Sequence, residues 1–154
     1  MAASFRASRV SFGGWSVCFA ALLIFCTTIS AEDWTRFRGP DGNGIAESTP
    51  PAKWSDTENL KWKTPLPGPG SSSPIVIGDR IFATCYSGYG VDAANPGRIE
   101  NLKRHLLCID RKKGGILWEK IVPAEMPEDE YRGFITEHGY ASNTPTADGE
   151  RVYA

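Results

Sequence analysis

Leu106–Val122, LLCIDRKKGGILWEKIV, decides the fold. The run Leu106-Leu107-Cys108-Ile109 is apolar and closes on Asp110, and four turn-prone residues, Arg111-Lys112-Lys113-Gly114, follow. Gly115-Ile116-Leu117-Trp118-Glu119-Lys120-Ile121 then resumes a β-compatible pattern that ends at Pro123. Glycine at the turn supplies positive φ without steric cost, and β-branched and aromatic residues sit well on a pleated surface. The stretch predicts strand, tight turn, strand.

Its spacing carries more than a generic hairpin. Cys108-x-Asp110-x-x-Lys113-Gly114-x-x-x-Trp118 resembles the docking motif of the pyrroloquinoline-quinone (PQQ)-like β-propeller repeats. The resemblance implies that Asp110 and Gly114 shape the hairpin and that Trp118 packs between neighbouring blades. Two positions depart from the pattern. Cys108 stands for the usual alanine, and Lys113 for the usual threonine, which removes a hydroxyl that would bond the turn backbone. The string Trp34-x-x-Phe37-Arg38-Gly39-Pro40-x-Gly42-x-Gly44 is also similar to the start of mature exported proteins of that group.

The chain repeats itself. Ser73–Ala83 (SPIVIGDRIFA) recurs as Thr144–Ala154 (TPTADGERVYA), with Pro, Gly, Arg and the final Ala identical. Each copy reads as strand, Gly-acid turn, strand, with the proline at the strand entrance, where no ladder donor is lost. Self-similarity of this kind marks a repeat architecture. The copies lie roughly 70 residues apart, against roughly 40–50 for common propeller blades. Two polar, Gly/Pro-containing insertions, 87–103 and 123–143, account for the excess. Asn59–Leu66 also aligns with Gly115–Val122, Trp62 matching Trp118, and predicts an outer strand without its hairpin.

The expected fold class is therefore all-β, with antiparallel four-stranded blades of a β-propeller of the quinoprotein dehydrogenase-like kind, incomplete in this chain. One full blade has strands near 73–77, 80–86, 104–110 and 115–121, and half of the next begins near Thr144. Residues 59–154 carry these repeats, and 32–58 form an irregular segment lying across the fold. Ring closure takes about four to eight blades, so the expectation is an N-terminal fragment whose unpaired strand edges favour aggregation.

Residues 1–31 read as an export signal. Arg6 and Arg9 precede the apolar run Val17–Ile29, and small residues Ser30 and Ala31 follow. The run is short for a membrane span of about 20 residues. An uncleaved anchor is the alternative, and is the only membrane attachment expected. A periplasmic or secreted protein at the cell envelope follows. Cys85 and Cys108 remain after the signal, on successive predicted strands, and leave a disulfide between them and two buried thiols as open alternatives.

A net charge of −1 without a basic stripe gives no nucleic-acid footprint. Glu125, Glu128, Asp129 and Glu130 read as a solvated loop rather than a metal cage. Asp41-x-Asn43-Gly44 lacks the terminal Glu of a calcium loop. His105 and His138 have no ligand-spaced partners and read as structural or surface residues. No G-x-S-x-G elbow occurs, and Ser71-Ser72-Ser73 fits a turn into a strand. Nothing fixes Glu137 and Asp129 at the separation of paired glycosidase acids. Tyr86, Tyr89, Tyr131, Phe134 and Tyr140 fall in or beside the insertions, either as a recognition surface or as packing of the insertions onto the blade.

Within the resembled family some propellers are quinoprotein dehydrogenases, holding the quinone at the ring centre beside a calcium ion, and others bind no cofactor. The motif Cys108, Asp110, Gly114 and Trp118 concerns fold alone, so no catalytic, cofactor or metal residue is assigned. The expected function is a non-catalytic binding scaffold for an envelope protein or carbohydrate. The alternative is a PQQ- and calcium-dependent dehydrogenase whose pocket lies mostly in further blades. A small independent β-domain conflicts with the half-finished repeat.

Overall fold

The computed structural model describes residues 33–154, so the export signal expected over 1–31 lies outside the described residues. The organising element is a four-stranded antiparallel sheet in sequence order. Its strands are β1 (Ile75–Ile77), β2 (Arg80–Ser87), β3 (Lys103–Asp110) and β4 (Ile116–Pro123). A second, two-stranded sheet joins β5 (Thr146–Ala147) to β6 (Val152–Tyr153). A 3₁₀ turn, Ile99–Asn101, and one helical turn, α1 (Ile135–His138), sit in the two insertions. The all-β, antiparallel expectation holds, and the four strands lie within two residues of their expected limits.

Local chemistry sets each turn. Gly78 joins β1 to β2 at φ 55°. At the β3–β4 turn, the Asp110 carboxylate accepts the amides of Lys112 (2.8 Å) and Lys113 (2.7 Å). Gly114, at φ 75°, donates its amide to the Asp110 carbonyl at 2.8 Å. The backbone amide at 113 is thus satisfied by Asp110 despite the lost threonine hydroxyl. The β5–β6 turn repeats the device, with Asp148 accepting Glu150 and Arg151 amides and Gly149 at φ 96°.

Side chains alternate across a strand, so register sorts them onto two faces. Ile81 pairs with Ile109, Ala83 with Leu107 and Cys85 with His105, and these side chains share the first face. Phe82 pairs with Ile75 and Cys108, and Thr84 with Leu106, on the second. A bulge at Cys108/Ile109 matches Ile109 to Ile116 but Cys108 to Trp118, so β4 carries one extra residue there.

Each face has its own small core. Cys85, Leu107 and Ile109 pack with Ile81 and Trp62 on the first. Ile75, Phe82 and Cys108 pack on the second with Ile77 and Leu106, and Ala147 and Val152 of the second hairpin lie against them. The two repeat copies meet directly, the Ser73 amide donating to Thr144 Oγ1 at 3.0 Å. Trp34 exchanges backbone bonds with Val76 at 2.8 and 2.9 Å, covering the free edge of β1, and the Thr35 carbonyl accepts the Ala147 amide.

Two expectations need correction. Residues 59–66 form no strand, because no ladder partner lies beside them among the described residues, and side-chain bonds hold the segment instead. A Cys85–Cys108 disulfide, one of the two alternatives left open, is the second. Both cysteines are free and buried, and the odd offset between the pairs Cys85–His105 and Phe82–Cys108 points their side chains to opposite faces. Burial pushes both thiols up from their ordinary range.

Candidate functional site

The first face carries Trp62 at the turn end of the sheet. Its indole Nε1 donates to the Arg111 carbonyl at 2.9 Å, and Thr64 Oγ1 donates to the Gly114 carbonyl at 2.5 Å. The ring lies so close to Gly114 that an added Cβ would stand 2.5 Å from Trp62 Cδ2. Gly114 therefore serves twice, by its positive φ and by its missing side chain. Of the expected docking residues, Asp110 and Gly114 shape this turn, and the tryptophan seated on it is Trp62.

Trp118 is on the other face. Its ring meets Phe82 at 5.8 Å between centroids, tilted by 53°, beside Cys108, and the residue remains 37% exposed. A cleft of about 400 Å³ opens there between β2–β4 and the β5–β6 turn, lined by Trp118, Phe82, Leu106, Arg80, Lys120 and Arg151 among others. The structure brings Cys108 and Trp118 together as cross-strand neighbours, and Asp110 and Gly114 together in the turn.

The five insertion aromatics divide. Tyr86 and Tyr89 are buried with Leu102 and Ala141, and Tyr131 and Tyr140 pack against them. Tyr86 and Tyr140 meet edge-on at 5.4 Å. Tyr86 Oη donates to the Gly90 carbonyl, Tyr140 Oη donates to the Asp129 carbonyl, and Tyr89 Oη accepts the Tyr131 amide. These four clasp the two insertions to the sheet, which is the packing alternative. Phe134 differs: it is 72% exposed, with the His138 ring edge-on at 4.3 Å.

Arg104 grips Glu128 through two parallel bonds of 2.8 and 2.7 Å, tying the second insertion to β3. The Arg104 hydrogen bonds hold the Glu128 carboxyl below its ordinary value. Burial, with Tyr89 beside it, pushes the Tyr140 phenol well up. The acidic cluster is thus partly an anchor. Among the described residues, no three His, Cys, Asp or Glu side chains converge as metal ligands.

One constellation was missed by the sequence reading. His105 is 5% exposed and stands on the first face, at the sheet end opposite Trp62. Its Nε2 lies 2.8 Å from Ser87 Oγ, and its Nδ1 lies 2.5 Å from Glu119 Oε1. A carboxylate only accepts, so Nδ1 carries a proton toward Glu119, and in the neutral ring Nε2 is then free to accept the Ser87 hydroxyl. Three strands supply the three residues, where the expectation had treated His105 as structural in isolation. Both insertions leave the sheet from this end, just after Ser87 and Pro123.

Comparison with protein families, with curated proteins and with solved structures finds no match.

Proposed function

We propose that this chain builds part of an exported β-propeller of PQQ-like repeats, serving as a binding scaffold at the cell envelope. The observation that carries the reading is the use of both faces of one sheet. In a ring of blades every sheet has a neighbour on each face, and in the resembled family a tryptophan packs between neighbouring blades. Trp62 and Trp118, equivalent in the internal alignment, occupy opposite faces of the same sheet, and the second repeat copy stacks on the Trp118 face. The docking motif supports the same assignment.

On this reading the sheet is a blade and β5–β6 begins the next. The insertions, clasped by their tyrosines, present Phe134 at the rim to a protein or carbohydrate partner. Quinone and calcium belong to the alternative, a quinoprotein dehydrogenase. That alternative places its pocket mostly in further blades, and none of the described residues is assigned to either group.

The test is to supply the purified protein with PQQ, calcium and a panel of alcohols and sugars, following reduction of an electron-accepting dye. No turnover is expected. Quinone-dependent oxidation would replace the scaffold by the dehydrogenase. Export is tested by fusing residues 1–31 to a phosphatase that is active only outside the cytoplasm, with activity expected.

A further inference from the structure

We infer that Ser87 is an activated nucleophile, raised by His105 and Glu119 into an acyl-accepting site at the rim of the sheet. Nucleophile, base and orienting carboxylate stand in the order and at the atoms that acyl transfer requires. Ser87 Oγ meets Nε2 at 2.8 Å, and Glu119 meets Nδ1 at 2.5 Å. Burial of the imidazole, with both nitrogens committed, holds its plane. Such a constellation is recognised by geometry and roles, so the missing G-x-S-x-G elbow does not weigh against it.

The surroundings suit the chemistry. Ser87 is the last residue of β2 and only partly buried, and Gly88 and Gly90 follow at φ 82° and 68°. Lys103 is its direct cross-strand partner, which brings an ammonium group to the same face. Ile121, opposite His105 and half exposed, offers apolar surface to a short acyl chain. Loop-bearing ends of rigid sheets are where reactive groups concentrate.

The step is acyl transfer from a short, activated ester. Ser87 Oγ attacks the carbonyl carbon while its proton passes to His105 Nε2. The carbon–oxygen bond to the leaving group then breaks, and the departing oxygen takes that proton. The product is an acyl ester on Ser87. Water, deprotonated by Nε2, attacks the same carbonyl, releasing the carboxylic acid and restoring the hydroxyl. Glu119 is a positioning residue throughout, holding the proton on Nδ1. The activity is separate from quinone oxidation, and it requires the Ser87 end of this face to stay open beside any neighbouring blade.

The full chain is incubated with a fluorophosphonate probe and with p-nitrophenyl acetate, and the modified residue is located by peptide mass spectrometry. Label on Ser87 is expected, with none on Ser71, Ser72 or Ser73. Ser87→Ala abolishes it. Glu119→Gln, an isosteric change on an exposed strand, slows labelling about a hundredfold or more, and Glu119→Asp recovers part of the loss. A folded wild-type protein that leaves Ser87 unlabelled, or labels it no faster than Ser71 and Ser72, overturns the inference. Glu119→Gln reacting at the wild-type rate does the same, because His105 would then only be satisfying its ring nitrogens.

Discussion

Trp62 and Trp118 align in sequence, yet they live differently on the two faces of one sheet. Trp62 is seated: its indole N–H has the Arg111 carbonyl and its ring covers Gly114. Trp118 has Phe82 on one side and an open cleft on the other. The difference is not in the tryptophans but in what faces them. A tight turn ending in glycine presents both a carbonyl and a bare backbone surface, and Trp62 rests directly on such a turn. The β5–β6 hairpin reaches the Trp118 side with Ala147 and with Gly149 through Val152, which leave the cleft open.

That contrast sets an order of effects. Gly114→Ala is expected to cost most, about 3–4 kcal/mol. It combines about 1–3 kcal/mol for a side chain at positive φ with about 1–3 kcal/mol for displacing the Trp62 ring. Urea unfolding followed by circular dichroism measures it, and a loss under 1 kcal/mol would mean that the ring does not rest on the turn. Trp62→Ala comes next, at about 3 kcal/mol, the low end for a large aromatic because the residue is only partly buried.

Trp118→Ala is expected to cost about 1 kcal/mol in this chain, since one side of the ring meets solvent. Equal losses for the two tryptophans would break the comparison. A loss that grows when further repeats are appended would sharpen it, because the cleft would then be filled as the propeller reading requires.

The smallest effect lies outside the tryptophans. Glu128 has its folded value held below 4.5 by Arg104. Its contribution is complete above the unfolded value and disappears as pH falls through the lowered folded value. Between about pH 6 and 3 the wild type should therefore lose more stability than Glu128→Gln, by roughly 1 kcal/mol or less for a partly exposed pair. Parallel thermal-melting curves for the two proteins across that range would remove the anchor role.

Much of the sheet was legible because its information is local. The apolar run before Asp110, the glycine at 114 and the repeated Pro–Gly–Arg pattern each act within a few residues, where turn chemistry and alternation operate. The segment around Trp62 misled because its β-compatible pattern describes a strand only when a partner strand lies alongside. The insertion tyrosines were found, but whether an aromatic faces solvent or a second tyrosine depends on how two loops far apart in sequence meet.

The residues by themselves determined an all-β chain, the order of four antiparallel strands and the Asp–Gly turn that joins the last two. Tertiary structure alone decided the faces of β4. An unbroken ladder continued from Ile109–Ile116 would pair Leu107 with Trp118 and place that ring on the Trp62 side. The bulge at Cys108/Ile109 adds one residue to β4 and so reverses every later side chain. Trp118 then joins Phe82, and Glu119 comes round to His105. Side-chain alternation has a period of two, so a single extra residue decides both the docking face and the Ser87–His105–Glu119 relay, and no local pattern announces where that residue falls.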